Sequence, residues 1–405
     1  MNNSGIVRIG MIGLGPRAET LLATLFLMQS EVTAICDLST EKCDKILSLL
    51  DSKNKPKPAV YQDYRKLLSS KEVDVVIVTT SWNTHLPIAY DAMCAGKFVG
   101  IEVGGAPSLE ELWRLVYAWE STKTPCMMLE NSCFGRNIMM VTRMVRLGLF
   151  GELIHCQCGY EHYIADRLVG EFDRGIERVF HNVCRNGDLY PTHGLGPIAK
   201  ILQINRGNRF LTLTSTASKA RGFAEAAQKR GDSRIFNEGD IITTVIKCAN
   251  GETIVVTHSI SLPRPHSLSR RVQGTRGIWI EEAKSMYIEG ISPHFQNIDI
   301  AGNPYFVHKW SSIDDFYEEY EHPTWRDFRN NPVGGHGGSD TLVLRAFLNA
   351  AEKKEEPPID VYDIAAWMAV TILSEQSIAL GSAPVAFPDF TNGKWIRREP
   401  DLSID

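Results

Sequence analysis

No stretch of this 405-residue chain approaches the roughly 18 uninterrupted apolar residues that a membrane-crossing helix needs. Nor does it open on a charged leader with an apolar core; MNNSGIVRIGMIGLG runs almost directly into a structured pattern. The expected location is cytoplasmic, with the periplasm or export left for a natural precursor that carries a leader. Basic runs and basic helices are missing too. The 43 Lys and Arg against 48 Asp and Glu leave a formal charge of −5, which argues against nucleic acid or an anionic membrane as partner. A disulfide framework is not indicated: nine cysteines is an odd number, and Cys36, Cys94, Cys126 and Cys248 sit inside apolar runs. They read as small buried hydrophobes in a reducing compartment. Cys156 and Cys158 form a CxC that a strand would place on one face, but no second pair stands nearby and no metal is expected. Internal repeats are also absent. What remains, 43% apolar and 22% charged residues, is ordinary globular composition, enough for two domains with sizeable cores.

The first positive signal is IVRIGMI, residues 6–12, a buried parallel strand by pattern, running into GLGPRA and then an apolar helical pattern. GLGPRA is GxGxxA, a variant of the dinucleotide fingerprint. Gly13 permits the tight turn, Gly15 lets backbone approach a pyrophosphate, and Ala18 stands where a third glycine allows close helix packing. The pyrophosphate would rest on the helix N-terminus, where N–H groups lack helical partners and the dipole favours an anion. A second strand, residues 31–37, ends in Asp37, an acid placed to accept both ribose hydroxyls and repel a 2′-phosphate. The following LST carries no arginine, so NAD is favoured over NADP.

Strands and helices then alternate. Thr40 caps a helix to about Leu50, 73–80 is a strand, HLPIAYDAMCAG a helix closing on Gly96, and 97–103 a strand. Ser108 and Glu111 form a capping box, and 125–131 is a further strand. This predicts a doubly wound parallel Rossmann sheet over residues 1–131. Ligands to such sheets gather at the strand carboxyl ends, which singles out Trp82, Asn83, Thr84, His85, Glu102, Val103, Glu130 and Asn131.

Residues 132–405 read differently. ELIHCQCGYEHY, RFLTLTSTASK, DIITTVIKCA, ETIVVTHSIS and GIWIEE are strand-like, with few helices between the later ones. They predict an α+β domain with an open-faced, mostly antiparallel sheet. Helices from about Asp340 to Lys354 and Asp360 to Ala379 are long enough to pack on either domain, and 310–325 reads as an insertion or surface loop. In YPTHGLGP, residues 190–197, Pro191 stiffens the link between Tyr190 and His193, and Gly194 and Gly196 let the chain turn. Pro197 suits the first turn of a helix that Gly207 helps to stop, leaving His193 near its N-terminus. The glycines of GGHGG, around His336, read equally as a loop approaching a site or as a structural turn.

With these elements in place, the chain resembles the glucose–fructose oxidoreductase and inositol dehydrogenase superfamily. Within it the chain is most similar to the NAD-dependent glycosidases of glycoside hydrolase family 109, the α-N-acetylgalactosaminidases. The strings that carry this are WNTH, GIEVGGA, LENSCF, GLFGELIH, RNGDLYPTHGLGP, NGETIVVTHSISLPRP, GGHGGSD, DVYDIAAW and PDFTNGKW, in order along nearly the whole chain. The resemblance implies NAD contacts at Pro16, Arg17, Asp37, Trp82 to His85, Glu102, Val103 and Asn131. It implies carbohydrate contacts at Tyr160, Arg178, Tyr190, Pro191, Thr192, His193 and Tyr287; segment 164–184, where the match is looser, and region 284–310 read as candidate specificity elements. It also implies a homo-oligomer formed through the open sheet face.

One departure from the wider superfamily matters. Its dehydrogenases carry Glu-Lys-Pro where this chain has Glu102-Val103-Gly104, and an Asp four residues before the histidine, where this chain has Leu189. Their acid–base pair is therefore missing. No pair of carboxylates has an evident claim to direct displacement either. The resemblance implies a redox-assisted cleavage: oxidation at C3, loss of the C2 proton, departure of the aglycone, addition of water and re-reduction, with NAD tightly bound and recycled. Histidine suits proton transfer near neutral pH, whereas tyrosine needs nearby positive charge to act as a base. His193 and Tyr190 are the expected catalytic residues, with Arg178 to hold Tyr190 partly ionised or to bind the sugar. Two readings stay open beside this one, an NAD-dependent sugar dehydrogenase and a non-catalytic sugar sensor.

Overall fold

The computed structural model of the protein describes residues 7–171 and 177–400. Ile6, where the first strand was read to begin, and residues 172–176 of the segment 164–184 lie outside the described residues. The chain forms two compact units. One runs to Phe134 and takes in a short piece ending at His181 and the segment Asn331–Ile372; the other comprises Gly135–Gly170, Asn182–Asn330 and the chain from Leu373.

The first unit holds six parallel strands: β1 (Arg8–Ile12), β2 (Glu31–Cys36), β3 (Ala59–Tyr61), β4 (Val75–Val78), β5 (Phe98–Ile101) and β6 (Cys126–Met128). Their order is β3-β2-β1-β4-β5-β6, that of a dinucleotide-binding doubly wound sheet. The central strands are apolar without alternation because helices cover both faces; β4, β5 and β6 are buried throughout. Gly100 of β5 lets the Phe347 ring approach, so a Cβ there would lie 3.2 Å from it. That ring comes from the helix Ser339–Lys353, which belongs to this unit although it is far along the chain.

Local signals placed most element ends. Ser108 caps the helix Leu109–Thr122 as predicted, accepting from the Glu111 N–H at 3.2 Å, while the Glu111 carboxylate accepts from Arg114 and the reciprocal half of the capping box is not made. Two expectations are corrected. The cap of the helix Thr40–Ser52 is Ser39, whose hydroxyl accepts from Lys42 N–H, and Thr40 is already helical. The next long helix spans Trp82–Cys94, starting three residues before the predicted HLPIAYDAMCAG, so Trp82, Asn83 and Thr84 form its first turn.

The second unit is built on β7 (Leu153–Glu161), β8 (Phe210–Ala217), β9 (Ile242–Cys248), β10 (Thr253–Ser259), β11 (Arg271–Gly274), β12 (Gly277–Ile280) and β13 (Ser285–Ile288). A separate hairpin, β14 (His294–Ile298) with β15 (Pro304–His308), and the short β16 (Ser311–Ser312) and β17 (Val385–Ala386) complete the strands. The nine-stranded sheet runs β16-β13-β12-β11-β7-β10-β9-β8-β17 and is antiparallel except where β7 and β10 pair in parallel. Along β9 burial alternates strictly, with Thr243, Val245 and Lys247 exposed, so one face of the sheet is open. Helices Arg136–Arg146 and Thr192–Ile201 pack on each other, and the second lies along β7.

The stretch 310–325 is not a surface loop. Ile313, Phe316 and Trp325 are buried, and the fully buried Glu321 pairs with Arg136 and Arg329. Cys94 is exposed rather than a core residue, whereas Cys36, Cys126 and Cys248 are buried. Cys156 and Cys158 share the buried face of β7, where desolvation pushes both thiols up. Among the described residues no helix is long and apolar enough to cross a membrane.

Candidate active site

At the end of β1 the chain turns through Gly13 at φ +90, where a Cβ would fall 2.8 Å from the Thr80 backbone; only glycine fits. Gly15 caps the helix Pro16–Leu27, and Pro16 occupies its first turn, where a missing N–H costs nothing. A Cβ on Gly15 would meet nothing within 4 Å, so open space lies beside the cap of a helix whose first N–H groups have no helical acceptor. Asp37 is aimed by backbone: its carboxylate accepts from Leu14 N–H at 2.8 Å and Ser39 N–H at 2.9 Å. These are the parts that a dinucleotide's pyrophosphate and ribose require, and the residues present fit NAD. LST itself carries no cation, but Lys42, one helical turn further on, brings its ammonium to 3.6 Å from Asp37.

Trp82 explains a departure seen in the sequence. Its indole lies against Gly104, where a Cβ would fall 2.5 Å from Nε1, so a proline at this position would collide with the ring. The Arg178 guanidinium sits 5.1 Å from the Trp82 ring centroid, and the His181 ring 5.2 Å from it. Glu177 fixes the start of Trp82's helix by accepting the Asn83 N–H at 3.0 Å, and the Thr84 hydroxyl donates to the Ser81 carbonyl. His85 turns inward, is buried, and engages the Thr80 carbonyl through Nε2. Burial lowers its pKa to about 4.

That shift predicts a pH dependence. Between about pH 4 and 6.5 the unfolded chain binds a proton at residue 85 that the folded chain refuses, so stability rises with pH through this window. The contribution is about 1 kcal/mol per pH unit. Urea midpoints of wild type and His85→Gln between pH 4.5 and 7 would show it; equal slopes for the two proteins would dismiss it.

The remaining expected cofactor residues converge on one acid that was not expected. Asp340, fully buried at the start of the helix Ser339–Lys353, accepts both terminal nitrogens of Arg17, at 2.8 and 3.0 Å. It also accepts from Asn131 Nδ2 at 2.6 Å and pairs with His336 Nδ1 at 3.0 Å. Arg17 Nε donates to Glu102 at 2.8 Å, so Arg17, Glu102, Asn131 and His336 form one network. Burial alone would push the Asp340 carboxyl up. Hydrogen bonds from His336, Arg17 and Asn131, with the Arg17 charge, instead hold it well below the usual carboxylate range. Val103, beside Glu102, is buried.

In the second unit a close backbone contact brings the aromatic residues together. A Cβ on Gly194 would fall 2.6 Å from the Gly159 carbonyl oxygen, so the helix Thr192–Ile201 sits directly on β7. The neighbours of these two glycines, Tyr160 and His193, therefore meet, with ring centroids 5.8 Å apart. Tyr190 completes the cluster at 4.5 Å from Tyr160 and 5.1 Å from His193. From Pro191 to Lys200 every residue except His193 is buried, Thr192 completely. Parallel pairing sets His258 of β10 beside Tyr160, and the rings stack at 6.3 Å.

The carboxyl-terminal domain model of glycosyl hydrolase 109 matches residues 134–397. The chain belongs to glycosyl hydrolase family 109. Residues 7–129 match the oxidoreductase family model with the NAD-binding Rossmann fold. An alpha-N-acetylgalactosaminidase of Tannerella forsythia is 40% identical over 99% of this chain and 90% of its own length. A family 109 protein of Stenotrophomonas maltophilia is 40% identical over 98% and 92%. Among solved structures, a Klebsiella pneumoniae NAD-binding oxidoreductase superposes with a TM-score of 0.69 at 16% identity, over 95% of this chain and 100% of that one. A Lactobacillus casei scyllo-inositol dehydrogenase with NAD(H) and scyllo-inositol gives 0.64 at 12% identity, over 94% and 99%. At such identities these two share the fold.

In this family 109 chain, YPTHGLGP is read differently in three dimensions. Gly194 and Gly196 are helical, and Gly194 serves close packing on β7 rather than turning. Pro197 lies inside the helix, and the helix ends at Ile201, well before Gly207. Tyr287 stands on β13, three strands from β7, and its hydroxyl pairs with His308 Nδ1 at 2.8 Å.

Behind the cluster lies a buried trio that composition did not reveal. His258 Nε2 is 2.9 Å from Glu238, and Nδ1 is 3.5 Å from Asp188, with all three side chains about 1% exposed. Asp188 also accepts the Tyr190 N–H at 3.1 Å, which fixes the backbone of that tyrosine. Burial raises the Asp188 carboxyl, and the neighbouring His258 opposes this. A histidine at an inward position of the alternating strand ETIVVTHSIS was the one local sign.

Proposed function

We propose that the protein hydrolyses glycosides of α-linked N-acetylgalactosamine by a redox-assisted elimination, with NAD tightly held and regenerated in each cycle. The observation that carries the reading is the cluster of Tyr160, Tyr190 and His193, with His193 the accessible ring, in a family 109 chain that lacks the dehydrogenase lysine after Glu102. Gly13, Gly15, Pro16, Arg17, Asp37, the Trp82–His85 turn, Glu102, Val103 and Asn131 would hold the dinucleotide. When bound, NAD supplies a hydride acceptor and donor for C3 of the sugar.

The chain's own groups handle protons. Loss of hydride and of the hydroxyl proton makes C3 a ketone, which acidifies the C2 proton by delocalising the carbanion. A base removes that proton as the C1–O bond breaks. Water then adds across C1 and C2, and C3 regains hydride and proton, so the net change is hydrolysis. His193 suits proton transfer at C3 or C2, and Tyr190 is placed beside it to serve the other step. Tyr160, Arg178, Pro191, Thr192 and Tyr287 are assigned to binding the sugar.

Incubating the purified protein with an aryl α-N-acetylgalactosaminide in D₂O, without added cofactor, tests this reading. Expected are release of the aglycone and deuterium at C2 of the freed sugar. NADH accumulation without cleavage would replace the reading with a dehydrogenase, and binding without turnover with a sensor.

A further inference from the structure

An α-helix satisfies the carbonyl of residue i with the N–H of residue i+4. In the helix Thr192–Ile201 position 197 is proline, which offers no N–H to the His193 carbonyl. A side chain takes over. Arg270, directly before β11, donates from Nη2 to the His193 carbonyl at 3.2 Å and from Nη1 to Glu281 at 3.0 Å. Its side chain is 5% exposed, and its own carbonyl accepts the Glu281 N–H at 2.9 Å. One buried guanidinium thus ties the β11–β12 hairpin to the first turn of the helix, at the residue that carries the accessible imidazole. The next residue, Gly194, is seated on the Gly159 backbone. The backbone under the His193 ring is therefore fixed from two sides.

We infer that Arg270 is a positioning residue for His193, acting through the carbonyl to which Pro197, four residues on, cannot donate. The inference rests on the proposed role of His193 in proton transfer. An ordinary helix would satisfy this carbonyl along its own axis and leave the turn free to shift with the helix. Here the turn is indexed to the sheet by a rigid fork with fixed donor geometry. Displacement of a proton-transfer group by about 1 Å is enough to lower turnover on the order of 10²-fold.

A double-mutant cycle between positions 270 and 197 tests this, because Pro197→Ala restores the missing N–H. Arg270→Gln is expected to lower kcat about 10²-fold with KM little changed. In the Pro197→Ala background the same substitution should cost about a tenth as much, since the helix can now supply the donor. An equal loss in both backgrounds, with NAD content and far-ultraviolet circular dichroism intact, would overturn the inference, as would an Arg270→Gln protein with normal kcat. Should Arg270→Gln fail to fold, Arg270→Lys keeps the charge beside Glu281 while losing the fork, and the same cycle applies. A second readout is the Cε1–H NMR shift of His193, expected to move on Arg270→Lys and to return with Pro197→Ala. A wild-type protein without glycosidase turnover would sink the functional reading, whereas a ring shift that Pro197→Ala does not restore would sink this one.

Discussion

His193→Ala is expected to stay folded and to keep its NAD while losing about 10²–10⁴-fold in kcat, the range of a positioned acid–base group. The fold should tolerate the change. His193 is the one residue of 191–200 that is not buried, and it lies in a helical turn where alanine is favourable. The residues assigned to the dinucleotide are in the other compact unit, so cofactor content serves as an internal control. Tyr190→Phe is the natural companion, since it removes only the hydroxyl from a ring packed between Tyr160 and His193. Deuterium incorporation at C2 then separates the two roles. The variant that still oxidises C3 but exchanges no C2 proton has lost the C2 base. Near-normal turnover of His193→Ala with an aryl glycoside would refute the assignment outright.

How much of this was legible in the sequence depended on how local each cause is. GLGPRA, the acid at the end of β2, the cap at Ser108 and the inward alternation of β9 act within a few residues, and each gave a correct element. YPTHGLGP was a harder case. Glycine and proline normally mark breaks, but here both were kept inside a helix by tertiary partners, Gly159 for Gly194 and Arg270 for the carbonyl beneath Pro197. Segment 310–325 failed for the same reason. Its acids and aromatics look solvated in isolation, yet Glu321 is matched by Arg136, 185 positions earlier.

The candidate site divides along the same line. Tyr190 and His193 stand in one short string, and the resemblance pointed to them directly. Tyr160 and His258 are neighbours only through the parallel register of β7 and β10, which no local pattern sets. Asp188 lies two residues before Tyr190 but drew no notice, because its partners His258 and Glu238 come from other elements. The departure from Glu-Lys-Pro was visible in the sequence, whereas the steric reason for glycine in place of its proline, the Trp82 indole on Gly104, required the fold.

Asp340 gives the second large expected effect. Arg17, Asn131 and His336 all reach its carboxylate, so Asp340→Ala leaves a partly buried guanidinium and a buried amide without an acceptor each had. Breaking one side of such a buried pair costs about 3–5 kcal/mol. Glu102 still faces Arg17 at 2.8 Å, which places the expected loss near the lower end, about 3 kcal/mol. Asp340→Asn separates charge from shape, because it keeps an oxygen acceptor but not the ion pair. Both variants should bind NAD more weakly, since Arg17, Glu102 and Asn131 are the residues proposed to meet it. The pH sign follows from the depressed carboxyl. Its stabilisation is fully present above the unfolded carboxyl's pKa of about 4 and is lost only as pH falls below that, toward the folded value. The gap between wild type and Asp340→Asn in urea should therefore stay constant from pH 8 to about 5 and close in stronger acid. If Asp340→Asn matches wild type in urea midpoint and NAD affinity at pH 7, the network around Asp340 does not hold the cofactor residues in place.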